Sequence, residues 1–215
     1  MDTRRVALLV TAAICAVMPT ISAQRQATPR EMRGAEHDVP LLADVLELQP
    51  GMTVADVGAG FGAMSVVLAK RLGPTVRVLS TDIGANQLRV LREAVSREQL
   101  TNMTVIEGAP ASTNLPDACC DAIFMRDVYH HITDVDAFNK SLLASLKPGG
   151  RLAVIDFEPR RGSRVPDGVN ANRGGHGITP EIVQREVSAA GFKHDRTIAS
   201  WPPGSNEFFL VLFRK

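Results

Sequence analysis

The chain predicts an α/β fold built on a doubly wound, mostly parallel sheet. Short apolar runs alternate with amphipathic stretches along most of its length. Val, Leu, Ile and Ala are plentiful while aromatic residues make up only 5%, a balance that suits strands buried on both faces better than an antiparallel sandwich. A glycine-rich segment, Gly58 to Gly62, joins the first apolar run to a helical pattern, the turn that such sheets use at a ligand site. With 215 residues and 45% hydrophobic content, one sizeable core can form, and one domain is expected.

Residues 1–23 read as a signal peptide. A basic start ending at Arg5 is followed by the apolar run Val6 to Met18 and by small residues up to Ala23. The run falls short of the ~20 residues of a spanning helix, so cleavage and export to the periplasm or medium are expected, with a membrane-anchored or cytoplasmic chain as the alternatives. No stable membrane span is expected after processing. Removing Asp2, Arg4 and Arg5 takes one acid from 23 and two bases from 24, and the near-neutral remainder offers no footprint for nucleic acid. Cys119 and Cys120 are adjacent and cannot staple distant segments. Residues 24–36 are polar without an apolar period and read as a linker or N-terminal arm, leaving 37–215 as the folded domain.

Within that domain, Leu41, Leu42, Val45 and Leu46 mark a first helix that stops at Pro50-Gly51. The runs Thr53 to Val57, Val76 to Thr81, Met103 to Ile106, Ala122 to Met125, Leu152 to Ile155 and Phe208 to Phe213 read as strands. Leu88, Leu91 and Val95 define one intervening helix face, and Val135, Phe138, Leu142 and Leu146 another. Thr179-Pro180 and Gly191 bracket a third helix with a cap, a first-turn proline and a terminal glycine. Residues 158–178, rich in Pro, Gly and Arg, form a long connection placed to cover a site.

The residues that carry chemistry lie at strand ends. Gly58, Gly60 and Gly62 permit close backbone approach to a ligand, and the helix start beyond them presents N–H groups to an anion. Gly58-x-Gly60-x-x-Ala63 alone also satisfies a dinucleotide fingerprint. Asp56, two residues before Gly58, suits an ammonium or sulfonium and would repel a pyrophosphate. Asp82 ends the second strand, where a carboxylate reaches ribose hydroxyls. Either acid could instead cap the turn or helix that follows it.

The ordered set VADVGAGFG, STD, CDAIFMRDVYHH and LKPGGRLAVIDF, with the leader before it, resembles class I (Rossmann-like) S-adenosylmethionine-dependent methyltransferases of an exported, small type, over roughly residues 37–213. The resemblance implies a seven-stranded sheet in the order 3-2-1-4-5-7-6 with an antiparallel last strand, and S-adenosyl-L-methionine as cofactor. It further implies that Gly58, Gly60 and Gly62 wrap the methionine part and that Asp82 holds the ribose. Where many relatives carry Gly-Asp after the third strand this chain has Gly108-Ala109, so the adenine amino group needs another partner, such as a backbone group near Ala109 or Ser112.

Methyl transfer from a sulfonium needs mainly alignment and removal of a proton. The acceptor is expected beyond the fourth strand, where Asp127, Tyr129, His130 and His131 offer polar groups. His130 is the first choice for a base, followed by Tyr129 and Asp127, although a His pair there could also cap the next helix or stack on the cofactor. Asp127 is also a candidate cofactor contact. No His/Cys/Asp spacing resembles a zinc site, and His37 and His176 are individually weak, so no metal is expected. The leading reading is methyl transfer to a small-molecule acceptor. An exported non-catalytic nucleoside-binding protein and a nicotinamide-dependent oxidoreductase are the alternatives.

Overall fold

The computed structural model describes residues 25–160 and 162–215. The expected signal peptide at 1–23 lies outside them. Among the described residues no helix is long and apolar enough to cross a membrane.

Order begins earlier than the hydrophobic period indicated. Helix α1 spans Pro29–Val45, so most of the expected linker is helical. The reason is local. Thr28 caps the helix, accepting from the Glu31 N–H while the Glu31 carboxylate accepts from the Thr28 N–H at 2.6 Å, and Pro29 fills the first position. Ala35, Val39 and Leu42 then bury one face. Asp38, also buried, accepts from Arg126 Nη2 at 3.3 Å and ties α1 to the end of the fourth strand.

The remaining elements are β1 (Thr53–Val57), α2 (Ala63–Leu72), β2 (Arg77–Asp82), α3 (Ala85–Arg97), β3 (Met103–Glu107), β4 (Cys120–Arg126), α4 (Val135–Ser145), β5 (Leu146–Asp156), α5 (Pro180–Ala189), β6 (Lys193–Trp201) and β7 (Phe208–Arg214). They form one sheet in the order β3-β2-β1-β4-β5-β7-β6. β1 to β5 pair in parallel, and β7 runs antiparallel to β5 and β6.

Both faces of the sheet are dry, which the strand runs require. Phe124 of β4 and Ile155 of β5 pack towards α1, α2 and α3, while Ile123, Met125 and Val154 pack towards α4 and α5. Two-sided burial of this kind, at ~25 cal/mol per Å² of apolar area, is the main favourable term holding the layers together. β6 was not visible as an apolar run because it is the sheet edge. Its residues from Lys193 to Thr197 are exposed, and charges there discourage further strand pairing. Cys120 opens β4 fully buried rather than lying in a surface turn, and burial pushes its thiol pKa up, away from reactivity.

The strand order reverses between β1 and β4. Their carboxyl ends therefore diverge into a crevice, the ligand position of open α/β sheets.

Candidate functional site

The turn after β1 is held by its neighbours before any ligand arrives. The N–H groups of Gly58 and Ala59 both donate to the Thr81 carbonyl at 2.9 Å. Asp82 then clamps the loop, one carboxylate oxygen accepting from Gly60 N–H and the other from Gly84 N–H, each at 2.8 Å. The carboxylate thus fixes the loop as well as facing the crevice.

The glycines serve different ends. A Cβ at Gly58 would meet Val128 at 2.5 Å, so this glycine allows the loop after β4 to close against the turn. Gly60, at φ +57°, has nothing within 4 Å of its absent Cβ, and that empty space belongs to the crevice.

Asp56 is buried and accepts from Ser65 Oγ at 2.6 Å, with Ser80 Oγ donating to Ser65 Oγ behind it. It therefore anchors the start of α2 while bordering the crevice. Burial pushes its pKa up to about 7, against the opposing hydrogen bond from Ser65, and the nearby Asp82 raises it further. The fixed negative charge expected here is only partly developed at neutral pH.

From this turn a cavity of about 490 Å³ runs along the strand ends between Gly58, Asp82, Ile83, Ala109 and His131. Ile83, 62% exposed, places an apolar side chain at its mouth. The backbone groups expected to receive a base are taken, since Ala109 N–H donates to Ser112 O at 2.7 Å and Ser112 N–H returns the bond to Ala109 O. Gln87, Ser112 and Thr113 are polar side chains that line the same cavity.

Two further clefts open on the other side of the loop. One, of about 520 Å³, lies between Asp56, Gly60, Phe61, Arg126 and Phe208. The second, of about 580 Å³, is lined by Phe157, Arg160, His176 and Phe208. Asp127 borders both. It sits at φ +60°, a left-handed conformation that costs a non-glycine residue roughly 1 kcal/mol and that marks constrained sites. Burial and the neighbouring Asp156 raise its carboxyl pKa, with His130 and Arg126 opposing.

Tyr129 and His130 do not reach these clefts as expected. Tyr129 is fully buried, its hydroxyl accepting from Asn139 Nδ2 at 2.8 Å, and burial raises its pKa out of reach of base chemistry. His130 is 1% exposed and its Nδ1 lies 2.8 Å from Asp156 Oδ1. Neither His caps α4, because Asp134 does so by accepting from Ala137 N–H. Folding also brings together histidines that the sequence spacing does not relate. His176, from the loop between β5 and α5, joins His130 and His131, and the three rings offer ligand nitrogens within 4.8 Å of one another.

That loop is pinned rather than loose. Arg173, buried, donates to the carbonyls of Ile132 and Tyr129 and pairs with Glu186 of α5 at 3.0 Å. Asp156, Arg173 and Phe208 went unnoticed as site residues, and His176 was weighed but set aside as individually weak. Only Asp156 had a usable signal, an acid closing an apolar strand as Asp82 does.

Comparison with known proteins gives this geometry a context. Residues 55–154 match the family model described as a methyltransferase domain. The demethylmenaquinone methyltransferase of Listeria monocytogenes is 31% identical over 112 residues, 52% of this chain and 47% of the relative. A phosphoethanolamine N-methyltransferase of Triticum aestivum is 32% identical over 53% of this chain and 22% of its own length. The chain thus spans about half the length of the first of these curated relatives and less of the second. Among solved structures, a SAM dependent methyltransferase from Aquifex aeolicus superposes with TM-score 0.70 at 26% identity, covering 87% of this chain and 94% of that one. The [4+2]-cyclase SpnF has a TM-score of 0.69 at 18% identity, covering 85% and 82%, and shares the fold alone.

Proposed function

We propose that this chain, built around a methyltransferase domain at residues 55–154, transfers the methyl group of S-adenosylmethionine to a small-molecule acceptor lying between Phe157, Phe208 and Asp127. The observation that carries the reading is the Asp82 clamp on the Gly60 N–H, which holds a glycine turn open beside a cavity at the strand-order reversal. The residues fit the cofactor. Gly60 leaves empty the volume a side chain would fill, Asp82 retains unused lone pairs for hydroxyls, and Ile83 offers an apolar face for a base. Asp56 provides the acid for a cation.

The bound donor supplies a sulfonium whose methyl carbon is already activated. The protein then needs to align the acceptor and receive its proton. Phe157 and Phe208 supply apolar walls, and Arg126 and Arg160 stack over Phe208 and Phe157 to add positive charge around them. Asp127 replaces His130 and Tyr129 as the side chain placed to take a proton, because it opens on both clefts and its pKa is raised towards working pH. Export directed by residues 1–23 belongs to the same reading, supported by the basic, apolar and small-residue order of that segment. Cell fractionation tests it, and full-length protein confined to the cytoplasm contradicts it.

The transfer itself is tested by release of S-adenosylhomocysteine from a panel of phenol, quinol and amine acceptors. At least one acceptor is expected to raise the rate, and Asp127→Asn to lower it without weakening donor binding. A chain that binds donor yet turns over none of them would favour a binding protein instead.

A further inference from the structure

The cluster of His130, His131 and His176 is not used by the transfer chemistry above. Its rings approach with centroids 4.1 Å apart for His130 and His131, 4.9 Å for His130 and His176, and 5.7 Å for His131 and His176. Two of these residues come from the turn after β4 and the third from the Arg173-pinned loop, so the convergence depends on the folded chain.

The chemistry of His130 is directional. Asp156 is fully buried, and its carboxylate accepts from the backbone N–H groups of His130 and Phe157. An acceptor so placed takes the proton of His130 Nδ1, which leaves Nε2 as the ring's bare lone pair. That Nε2 is buried and has no hydrogen-bond partner among the described residues. A buried acceptor of this kind calls for a partner. The carboxylate-to-imidazole hydrogen bond is also the arrangement that orients a metal-ligating histidine and raises its basicity.

We propose that His130, His131 and His176 form a three-histidine site for one divalent transition ion of zinc type, with Asp156 holding His130 from behind. Imidazole nitrogens suit such ions, and three protein ligands leave a position open. Nitrogens bound tetrahedrally to one ion at ~2.1 Å lie roughly 3.4 Å apart, and these already fall within 4.8 Å of one another, so the movement required is at most roughly 1.4 Å. His131 and His176 can supply that movement, because their rings have no hydrogen-bond partner among the described residues. His131 lies on the solvent side, which provides the entry path. Because His131 borders the donor cavity and His176 the acceptor cleft, the open position would face an oxygen or nitrogen of the acceptor. This last step rests on the transfer reading, whereas binding of the ion does not.

Calorimetric titration of zinc into the metal-stripped full chain, without donor or acceptor, provides the test. One ion per chain is expected, with His131→Ala and His176→Ala each weakening binding at least tenfold and neither altering the circular dichroism of the stripped protein. X-ray absorption of the zinc-loaded wild type should show a shell of imidazole nitrogens, and this readout requires no variant to fold. Absence of saturable binding, equal affinity in the variants, or a shell without imidazole would overturn the site. Titrating S-adenosylhomocysteine into the same preparations separates the two ideas, because donor binding without zinc binding removes only the metal.

Discussion

The two sides of the crevice are built differently. On the β1–β2 side, the site is a local device. A turn of a few residues is clamped by Asp82, and its shape follows from glycine positions and one strand-end acid. On the β4–β5 side, the site is a convergence. Asp127, the histidine cluster and the aromatic walls come from separate segments, held in place by buried polar contacts such as Arg173 to Ile132 O and His130 to Asp156. The first side can be recognised along the chain, and the second exists only once the chain has folded.

The largest expected effect tests whether the local side carries an uncompensated charge. Asp56 has a folded pKa of about 7 against an ordinary value of 3.8, so the folded state holds the proton longer than the unfolded chain. The Asp56 contribution to stability is therefore greatest below about pH 4, falls as pH rises towards about 7, and levels off above. At ~1.4 kcal/mol per pKa unit the loss approaches roughly 4 kcal/mol. Asp56→Asn should flatten this dependence and stabilise the ligand-free protein at pH 8, as read by urea denaturation across pH. An unchanged pH slope would mean that Asp56 stays ionised at ordinary carboxylate pH.

A slightly smaller effect is expected on the convergent side. Arg173→Ala leaves Glu186 and two carbonyls without their buried cation and should cost about 3 kcal/mol or more. Affinity for S-adenosylhomocysteine should fall far less than stability in the folded variant, since of these contacts only that to Ile132 reaches a residue lining the donor cavity. Denaturation midpoints and a donor titration together check this. Equal loss on both sides would show that they are not separable.

These expectations mirror what could be read without a structure. Five of the seven strands announced themselves because burial on both faces forces continuous apolar runs, and the edge strand β3, only partly buried, through Met103, Val105 and Ile106, whereas β6 is polar through exposure at the opposite sheet edge. Gly58, Gly60, Gly62 and Asp82 were legible through spacing that encodes a turn. The start of α1 was missed because Thr28 and Glu31 form a capping box in a stretch with weak apolar period. Tyr129 and His130 were misjudged for another reason: adjacent residues in a tight turn point in different directions, and sequence does not say which faces the crevice. The histidine cluster could not be found by ligand spacing at all, as His176 returns through a long loop.

The smallest effect sharpens the comparison at the far end of the donor cavity. Ala109 stands where the resemblance read from the sequence implies an acid, and the neighbouring backbone groups already pair with each other. Ala109→Asp should tighten S-adenosylhomocysteine binding several-fold, about 1 kcal/mol, the net scale of one hydrogen bond. Isothermal titration would read the gain. No change would place the base away from Ala109.

The central claim, that the clamped glycine turn is a methyl-donor site, is tested most directly by titrating S-adenosylhomocysteine into the full-length wild type and Asp82→Ala. Saturable binding of one molecule per chain is predicted, weakened about tenfold or more in the variant, as loss of a charged hydrogen bond costs ~1.5–3 kcal/mol. No saturable binding to the wild type, or equal affinity in both proteins, would contradict it.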